Sequence, residues 1–160
     1  NVKIKKLSSK NFFINKLFEN IILVETKTYR SSDNISKTYR IDNNILKLLK
    51  KSTFEFKNII TKKKINLNEL GNFLHSNWIE KKKLSNKISN KKLDKIYNDF
   101  VSKGALGGKL LGAGGGGYFM FIMSKNKQKN ISSYYKSHKI IKFRYQSEGS
   151  RILNKLYVPK

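Results

Sequence analysis

Residues 104–123, GALGGKLLGAGGGGYFMFIM, constrain this chain more than any other stretch. Eight of the ten glycines fall here, at 104, 107, 108, 112 and in the unbroken run 114–117, directly ahead of the apolar block 118–123. Glycine reaches positive φ without a Cβ clash and lets another backbone or a ligand come close. A chain that uses little glycine elsewhere has therefore gathered its permissive positions into one loop. The apolar block behind the loop is far shorter than the ~20 residues of a membrane-spanning helix, and its β-branched and aromatic character predicts a strand buried on both faces.

The flanking pattern predicts an α+β fold. Residues 2–7 alternate like a short strand, and IILVE, 21–25, reads as a buried strand. A helix is expected over residues 35–52, capped by Ser31, Ser32 or Asp33 and presenting Ile41, Ile45, Leu48 and Leu49, with a further helix over 53–64. Residues 66–83 carry the apolar stripe Leu67, Leu70, Phe73, Leu74, Trp78 and Ile79, and residues 91–103 carry Leu93, Ile96, Tyr97, Phe100 and Val101. Asn66 or Asn68 and Asn90 are the caps, and Gly104 ends the second of these helices. After the glycine loop and its strand, a short helix is expected over 130–137 and a half-exposed strand over 139–149. The order is strand, several helices, glycine loop, strand, helix, strand, which fits helices packed on an antiparallel sheet.

Length and charge narrow the class. The 160 residues suit one domain. The formal charge of +25 would favour nucleic acid or an anionic surface, yet only Arg30, Arg40, Arg144 and Arg151 among the 35 basic residues carry the guanidinium fork best suited to phosphate. Lysine, asparagine and isoleucine are inflated together, which reads as an AT-rich coding bias spread over solvated faces. No specific nucleic-acid or membrane partner is expected; a basic nucleic-acid or anionic-surface binding module remains the alternative supported by charge alone. The chain has no cysteine, two histidines and few carboxylates, so no metal cage is expected in it, and the default location is the cytoplasm.

A glycine-rich turn can converge backbone N–H groups on an anion. The phosphate loops of dinucleotide and P-loop sites, however, open a helix, whereas this loop opens a strand. It is not a self-contained nucleotide site. Spacing alone leaves two uses open: an anion cradle, or close packing under another backbone segment.

The run GGKLLGAGGGGYFMFI closely resembles the third conserved motif of the GHMP kinases. Together with the preceding LNELGNFLHSNWIEKKKLSNKISNKKLDKIYNDFVSKGAL, it looks like the D-glycero-D-manno-heptose 7-phosphate kinases. Their H-x-x-W-x-x-K-K helix is met by His75, Trp78, Lys81 and Lys82, and their I-S-N by Ile88, Ser89 and Asn90. Asp94 and Tyr97 supply the aspartate and tyrosine of the next helix. Upstream, ILVETKTYRSSD resembles a strand followed by T-G-x-x-R, with Thr26 and Arg30 matching and Lys27 standing where the family has glycine.

The resemblance implies a GHMP kinase C-terminal domain over residues 1–160, α+β with a ferredoxin-like core, in which 1–20 are the tail of a preceding domain or a linking strand. The N-terminal ATP-binding domain, with its P-x-x-x-G-L-G-S-S-A loop and catalytic aspartate, is absent from this sequence, so no catalytic residue is expected here and the chain alone is expected to be inactive. The implied reaction of the intact enzyme is phosphorylation of the anomeric hydroxyl of a heptose 7-phosphate, for nucleotide-activated heptose and surface polysaccharide. ATP and Mg²⁺ would be held mainly by the other domain; a fucose-type sugar-1-kinase is the alternative within the superfamily. Gly112, Ala113, Gly114, Gly115, Gly116 and Gly117 are expected to line the active site. Arg30, Lys81, Lys82 and Lys109 are the candidates for the substrate's phosphate, and His75 is a possible substrate contact. The implied partners are the sugar phosphate, ATP and an N-terminal kinase domain or subunit.

Overall fold

The computed structural model describes residues 17–29, 32–131 and 139–142. Strand β1 (Ile21–Glu25) leads through a one-turn helix α1 (Ser32–Ser36) to three longer helices, α2 (Asn43–Ile60), α3 (Leu67–Lys83) and α4 (Lys91–Ser102). The hairpin β2 (Gly107–Leu110) and β3 (Tyr118–Ile122), helix α5 (Lys125–Ile131) and β4 (Ile140–Ile141) follow. The sheet order is β2-β3-β1-β4, and every neighbouring pair is antiparallel. A strand, a helical segment, a hairpin, a helix and a strand in that order form the split unit of a ferredoxin-like core. The α+β expectation is borne out.

Local chemistry sets the helix ends. The Asn66 carboxamide accepts from the amides of Asn68 and Glu69 to start α3, and Lys81, Lys82 and Lys83 stand in its last turn, where cations suit the negative end of the helix dipole. Asn90 accepts from the Leu93 amide to start α4. At the other end the Gly104 amide donates to Val101 and the Ala105 amide to Phe100, with Gly104 at φ 98°, closing a Schellman turn.

The core lies on both faces of β1 and β3. The paired residues Ile22 and Phe121, and Val24 and Phe119, face Trp78 of α3 and Leu93, Ile96, Tyr97 and Phe100 of α4. The opposite pair, Ile21 and Ile122, packs against Leu70, Phe73 and Leu74 of α3 and Ile59 of α2. Helix α3 serves both clusters because it runs along β2, the edge strand. A Cβ at Gly71 would stand 2.6 Å from the Leu106 backbone, and one at Gly107 would stand 2.0 Å from the Gly71 carbonyl. The two glycines let helix and strand backbones touch, and the helix covers an edge that would otherwise offer unpaired groups to another strand.

Several sequence expectations are corrected. The helices expected over 35–52 and 53–64 are instead α1, a turn and one continuous α2, capped by Asp42, whose carboxylate accepts from the Ile45 amide at 2.8 Å. In the turn, the Thr38 hydroxyl and amide both bond the Ile35 carbonyl, which ends α1. The glycine stretch is not all loop, since Gly107–Leu110 forms β2. In β3, Phe119, Phe121 and Ile122 are buried while Tyr118 and Met120 are only partly so. A helix the sequence reading did not expect, α5, runs over Lys125–Ile131, where the Gln128 side chain donates to the carbonyls of Glu19 and Met123, both at 2.8 Å, and ties it to the sheet. Residues 2–7, most of the strand expected over 139–149, and residues 132–137 lie outside the described residues.

Candidate functional site

Residues 111–117 connect β2 to β3, and four other segments of the chain meet on them, at Thr26–Thr28, Tyr39, Lys81 and Ile88. The Gly117 carbonyl accepts from both the Thr26 amide and the buried Thr26 hydroxyl at 2.9 Å, while the Gly117 amide donates to the Thr28 carbonyl at 2.9 Å. A Cβ at Gly116 would stand 2.0 Å from that same carbonyl. On the other flank, the Gly115 amide donates to the Ile88 carbonyl at 2.8 Å, and a Cβ at Gly114 would crowd the Ile88 Cα at 3.0 Å. The loop is therefore wedged between the turn after β1 and the start of α4. Packing accounts for Gly114 and Gly116, whereas a Cβ at Gly112 or Gly117 would meet open space.

Two side chains turn the loop's carbonyls to one side. Lys81 Nζ donates to the carbonyls of Leu110, at 3.1 Å, and of Gly112, and the Tyr39 hydroxyl donates to that of Ala113. In a planar trans peptide the N–H points opposite to the C=O. Drawing the Gly112 and Ala113 carbonyls toward Lys81 and Tyr39 thus aims the amides of Ala113 and Gly114 the other way, where they meet no acceptor among the described residues. The Ala113 and Gly114 amides are thus open to an acceptor, while the amides of Gly115 and Gly117 are already committed to protein.

The lysine candidates separate by geometry. Lys81 and Lys109 come together on the wall of a cleft of about 620 Å³ that also touches Gly112. Burial, and secondarily the charge of Lys109, holds the Lys81 ammonium down to about 8, and burial lowers Lys109. Neither forms an ion pair with a carboxylate among the described residues. Lys82 points elsewhere: its Nζ lies 3.2 Å from Asp94 and 5.7 Å from the Trp78 ring centroid. Asp94 is held in turn by the Ser89 hydroxyl at 2.9 Å. His75 Nδ1 and the Tyr97 hydroxyl are 2.7 Å apart, and the two rings stack with centroids 5.8 Å apart. Burial pushes the Tyr97 hydroxyl up to about 12, against a lowering contribution from the Gly108 backbone, so it is protonated at any ordinary pH. Trp78 meets Phe119 edge-on. The histidine, tryptophan, second lysine, serine and aspartate of the resemblance thus interlock α3 with α4 and the sheet. Arg30 lies outside the described residues.

The Lys27 substitution noted in the sequence keeps its turn. Lys27 sits at φ 50°, the left-handed conformation that glycine adopts without strain, so the turn is made here at the expense of a crowded lysine backbone. Tyr39 carries no sequence signal, because its bond to the loop spans 74 residues.

The ferredoxin-like sheet, the glycine hairpin seated on Thr26, Thr28 and Ile88, and the α3–α4 pair define a kinase C-terminal domain. The sequence matches the family described as GHMP kinases C terminal over residues 56–140, more than half of its length, and the chain belongs to that family. It is 37% identical over 62 residues to the D-glycero-alpha-D-manno-heptose 7-phosphate kinase of Campylobacter jejuni, a match covering 39% of this chain and 18% of that protein. Among solved structures, the mevalonate kinase of Methanococcus jannaschii superposes with a TM-score of 0.67 at 23% identity, over 87% of this chain and 43% of that one. A putative sugar kinase from Campylobacter jejuni superposes with a TM-score of 0.66 at 24% identity, over 93% and 43%. The chain spans less than half the length of these solved relatives, and the likeness to them establishes the fold.

Proposed function

We propose that this chain is the C-terminal part of an ATP-dependent sugar kinase that phosphorylates the anomeric hydroxyl of D-glycero-D-manno-heptose 7-phosphate, in the making of nucleotide-activated heptose and surface polysaccharide. The observation that carries the proposal is the joined unit of glycine loop and α3–α4 pair. His75–Tyr97, Trp78–Phe119, Lys82–Asp94 and Ser89–Asp94 lock together the residues of the heptose-kinase pattern, and Ile88, in the connection between α3 and α4, holds Gly115. The Campylobacter relative, itself a heptose 7-phosphate kinase, supports the same substrate class.

In this reading an N-terminal kinase domain or subunit supplies most of the ATP site. Mg²⁺ would be held there too, with the nucleotide phosphates, and no residue of this chain is assigned to it. ATP would supply the phosphoryl group that is transferred. Phosphoryl transfer depends mainly on positioning and on meeting the charge of the phosphoryl oxygens. This chain's part is to form the floor of the site with Gly112 to Gly117, offer the Ala113 and Gly114 amides to an anion, and bring Lys109 and Lys81 to the substrate's distal phosphate, with Arg30 a further candidate from the family pattern. Lys82, engaged by Asp94, serves the fold in this reading, and His75 does so through Tyr97.

The test joins the chain to an N-terminal half bearing the P-x-x-x-G-L-G-S-S-A loop and follows ADP release with a panel of sugars. Turnover of heptose 7-phosphate is expected in the joined protein and none in the 160-residue chain alone. Turnover of fucose in its place would move the substrate assignment, and turnover by the isolated chain would overturn the division of labour.

A further inference from the structure

The cleft beside Gly112 has a wall that a sugar phosphate does not explain. Helix α2 packs on α3 through its C-terminal half: the Ser52 hydroxyl donates to Asn77 Oδ1 at 2.7 Å, the Phe56 and Phe73 rings stack with centroids 5.5 Å apart, and Ile59 is buried. Toward its N-terminus α2 stands off from α3, and the wedge between them is the cleft of about 620 Å³. Ile41, Ile45, Leu48 and Leu49 line one side, with Leu48 and Leu49 about half exposed at 49% and 51%. The other side carries Lys81 and Lys109, two partly buried ammonium groups lowered by burial and facing no carboxylate partner among the described residues. Four lysines, Lys51, Lys81, Lys83 and Lys109, line the cleft against two glutamates, Glu55 and Glu80, and Glu80 is already paired with Lys83.

Ligand pockets are typically apolar concavities of ~300–1,000 Å³ with a few polar groups that fix orientation. Partly desolvated cations without counter-charges favour an anion between them, and the leucine wall favours hydrocarbon removed from water. A heptose body, with a hydroxyl on nearly every carbon, would leave the leucines wet and its own hydroxyls facing them. We propose that the α2–α3 cleft binds an amphipathic anion, its phosphate or carboxylate head between Lys81 and Lys109 and its hydrocarbon flank along Ile45, Leu48 and Leu49. The site is built entirely from this chain, and because its head group uses the two lysines that the kinase reading gives to the substrate's distal phosphate, the two ligands would compete for Lys81 and Lys109.

Isothermal titration of the 160-residue chain, in about 150 mM salt to screen its bulk charge, tests the proposal with four probes: n-octyl phosphate below its micelle concentration, inorganic phosphate, n-octyl glucoside and glucose 6-phosphate. Octyl phosphate is expected to bind roughly tenfold or more tighter than each of the others, since head and flank both contribute. Lys109→Gln is expected to weaken it by roughly tenfold, and the paired Leu48→Ser and Leu49→Ser changes to bring it to the level of inorganic phosphate. Lys91→Gln, on an exposed position of α4, controls for net charge and is expected to leave affinity unchanged. The two leucines are half in solvent, so a melting curve should show the paired variant folded. Octyl phosphate binding no tighter than inorganic phosphate overturns the proposal, as does tight binding that survives either set of changes. Glucose 6-phosphate matching octyl phosphate overturns it too, while leaving the sugar-phosphate reading intact.

Discussion

Lys27 is a residue whose backbone matters more than its side chain. Its φ of 50° lets Thr26 and Thr28 clasp Gly117 from both sides, with the Thr26 hydroxyl buried against the Gly117 carbonyl. A non-glycine residue in this conformation carries ~1–2 kcal/mol of steric strain, partly offset because glycine loses more freedom on folding. Lys27→Gly is expected to raise unfolding free energy by about 0.5–1 kcal/mol, read from urea denaturation with an unchanged slope; a destabilised variant would show that the strain is relieved elsewhere. The departure was visible in the sequence as a lysine in a T-G-x-x-R position, but its harmlessness was not, since a side-chain letter does not report a backbone angle. Tyr39 and Lys81 illustrate the same limit. Lys81 was legible through the family pattern as a candidate for the substrate's phosphate, whereas its hold on two loop carbonyls depends on α3 lying along β2, a tertiary fact no local spacing encodes.

Between elements, the contact of α3 with β2 governs both the sheet edge and the loop. Gly71 interrupts an otherwise good helix pattern, and replacing it with alanine would gain ~1 kcal/mol of helix propensity. The added Cβ, however, meets the Leu106 backbone and side chain at 2.6 Å, where overpacking costs ~1–3 kcal/mol or more. Gly71→Ala is therefore expected to lower stability by about 1–2 kcal/mol, measurable as a reduced melting temperature; a more stable variant would mean that helix and strand part without penalty. At the far end of this contact, Lys81 makes folding depend on pH. Its folded-state value of about 8 lies below the ordinary 10.5, so the unfolded chain binds that proton more tightly. The cost of keeping it charged is fully present below about 8 and fades as pH rises toward 10.5. Relative to Lys81→Met, the wild type is expected to gain stability as pH rises from about 8 toward 10.5, while Tyr97, raised to about 12, is common to both proteins and cancels from the comparison. Parallel curves for the two proteins would refute this. The elements themselves were largely legible: Asn66, Asn90 and Gly104 mark their helix ends in the letters, and IILVE and YFMFI announce strands. The break before Asp42 was missed because Ile41, Ile45, Leu48 and Leu49 keep helical spacing across it, and β2 was missed because GGKL has little strand propensity and becomes a strand only through β3 on one side and α3 on the other.

For the molecule as a whole, charge opposes compactness. A net +25 meets only four ion pairs among the described residues, at partly or largely exposed positions where each contributes ~1 kcal/mol or less. Mutual repulsion is screened by salt, so raising sodium chloride from about 20 to about 200 mM is expected to raise the melting temperature by a few degrees, and a fall would point to ion pairs as the dominant electrostatic effect. Sequence order foretold the α+β class, and the family pattern singled out the glycine loop and the helices before it; the apolar cleft was not legible, because the divergence of α2 from α3 has no signature in either helix. One last consequence concerns time. The bond from Thr26 to Gly117 closes a span of 91 residues and that from Tyr39 to Ala113 one of 74, and closing long spans is entropically slow. The helices can form early, but the glycine hairpin acquires its shape only when three distant stretches have arrived together. The surface offered to ligands is thus among the last parts of the protein to exist, and a chain that has stalled part-way through folding presents none of it.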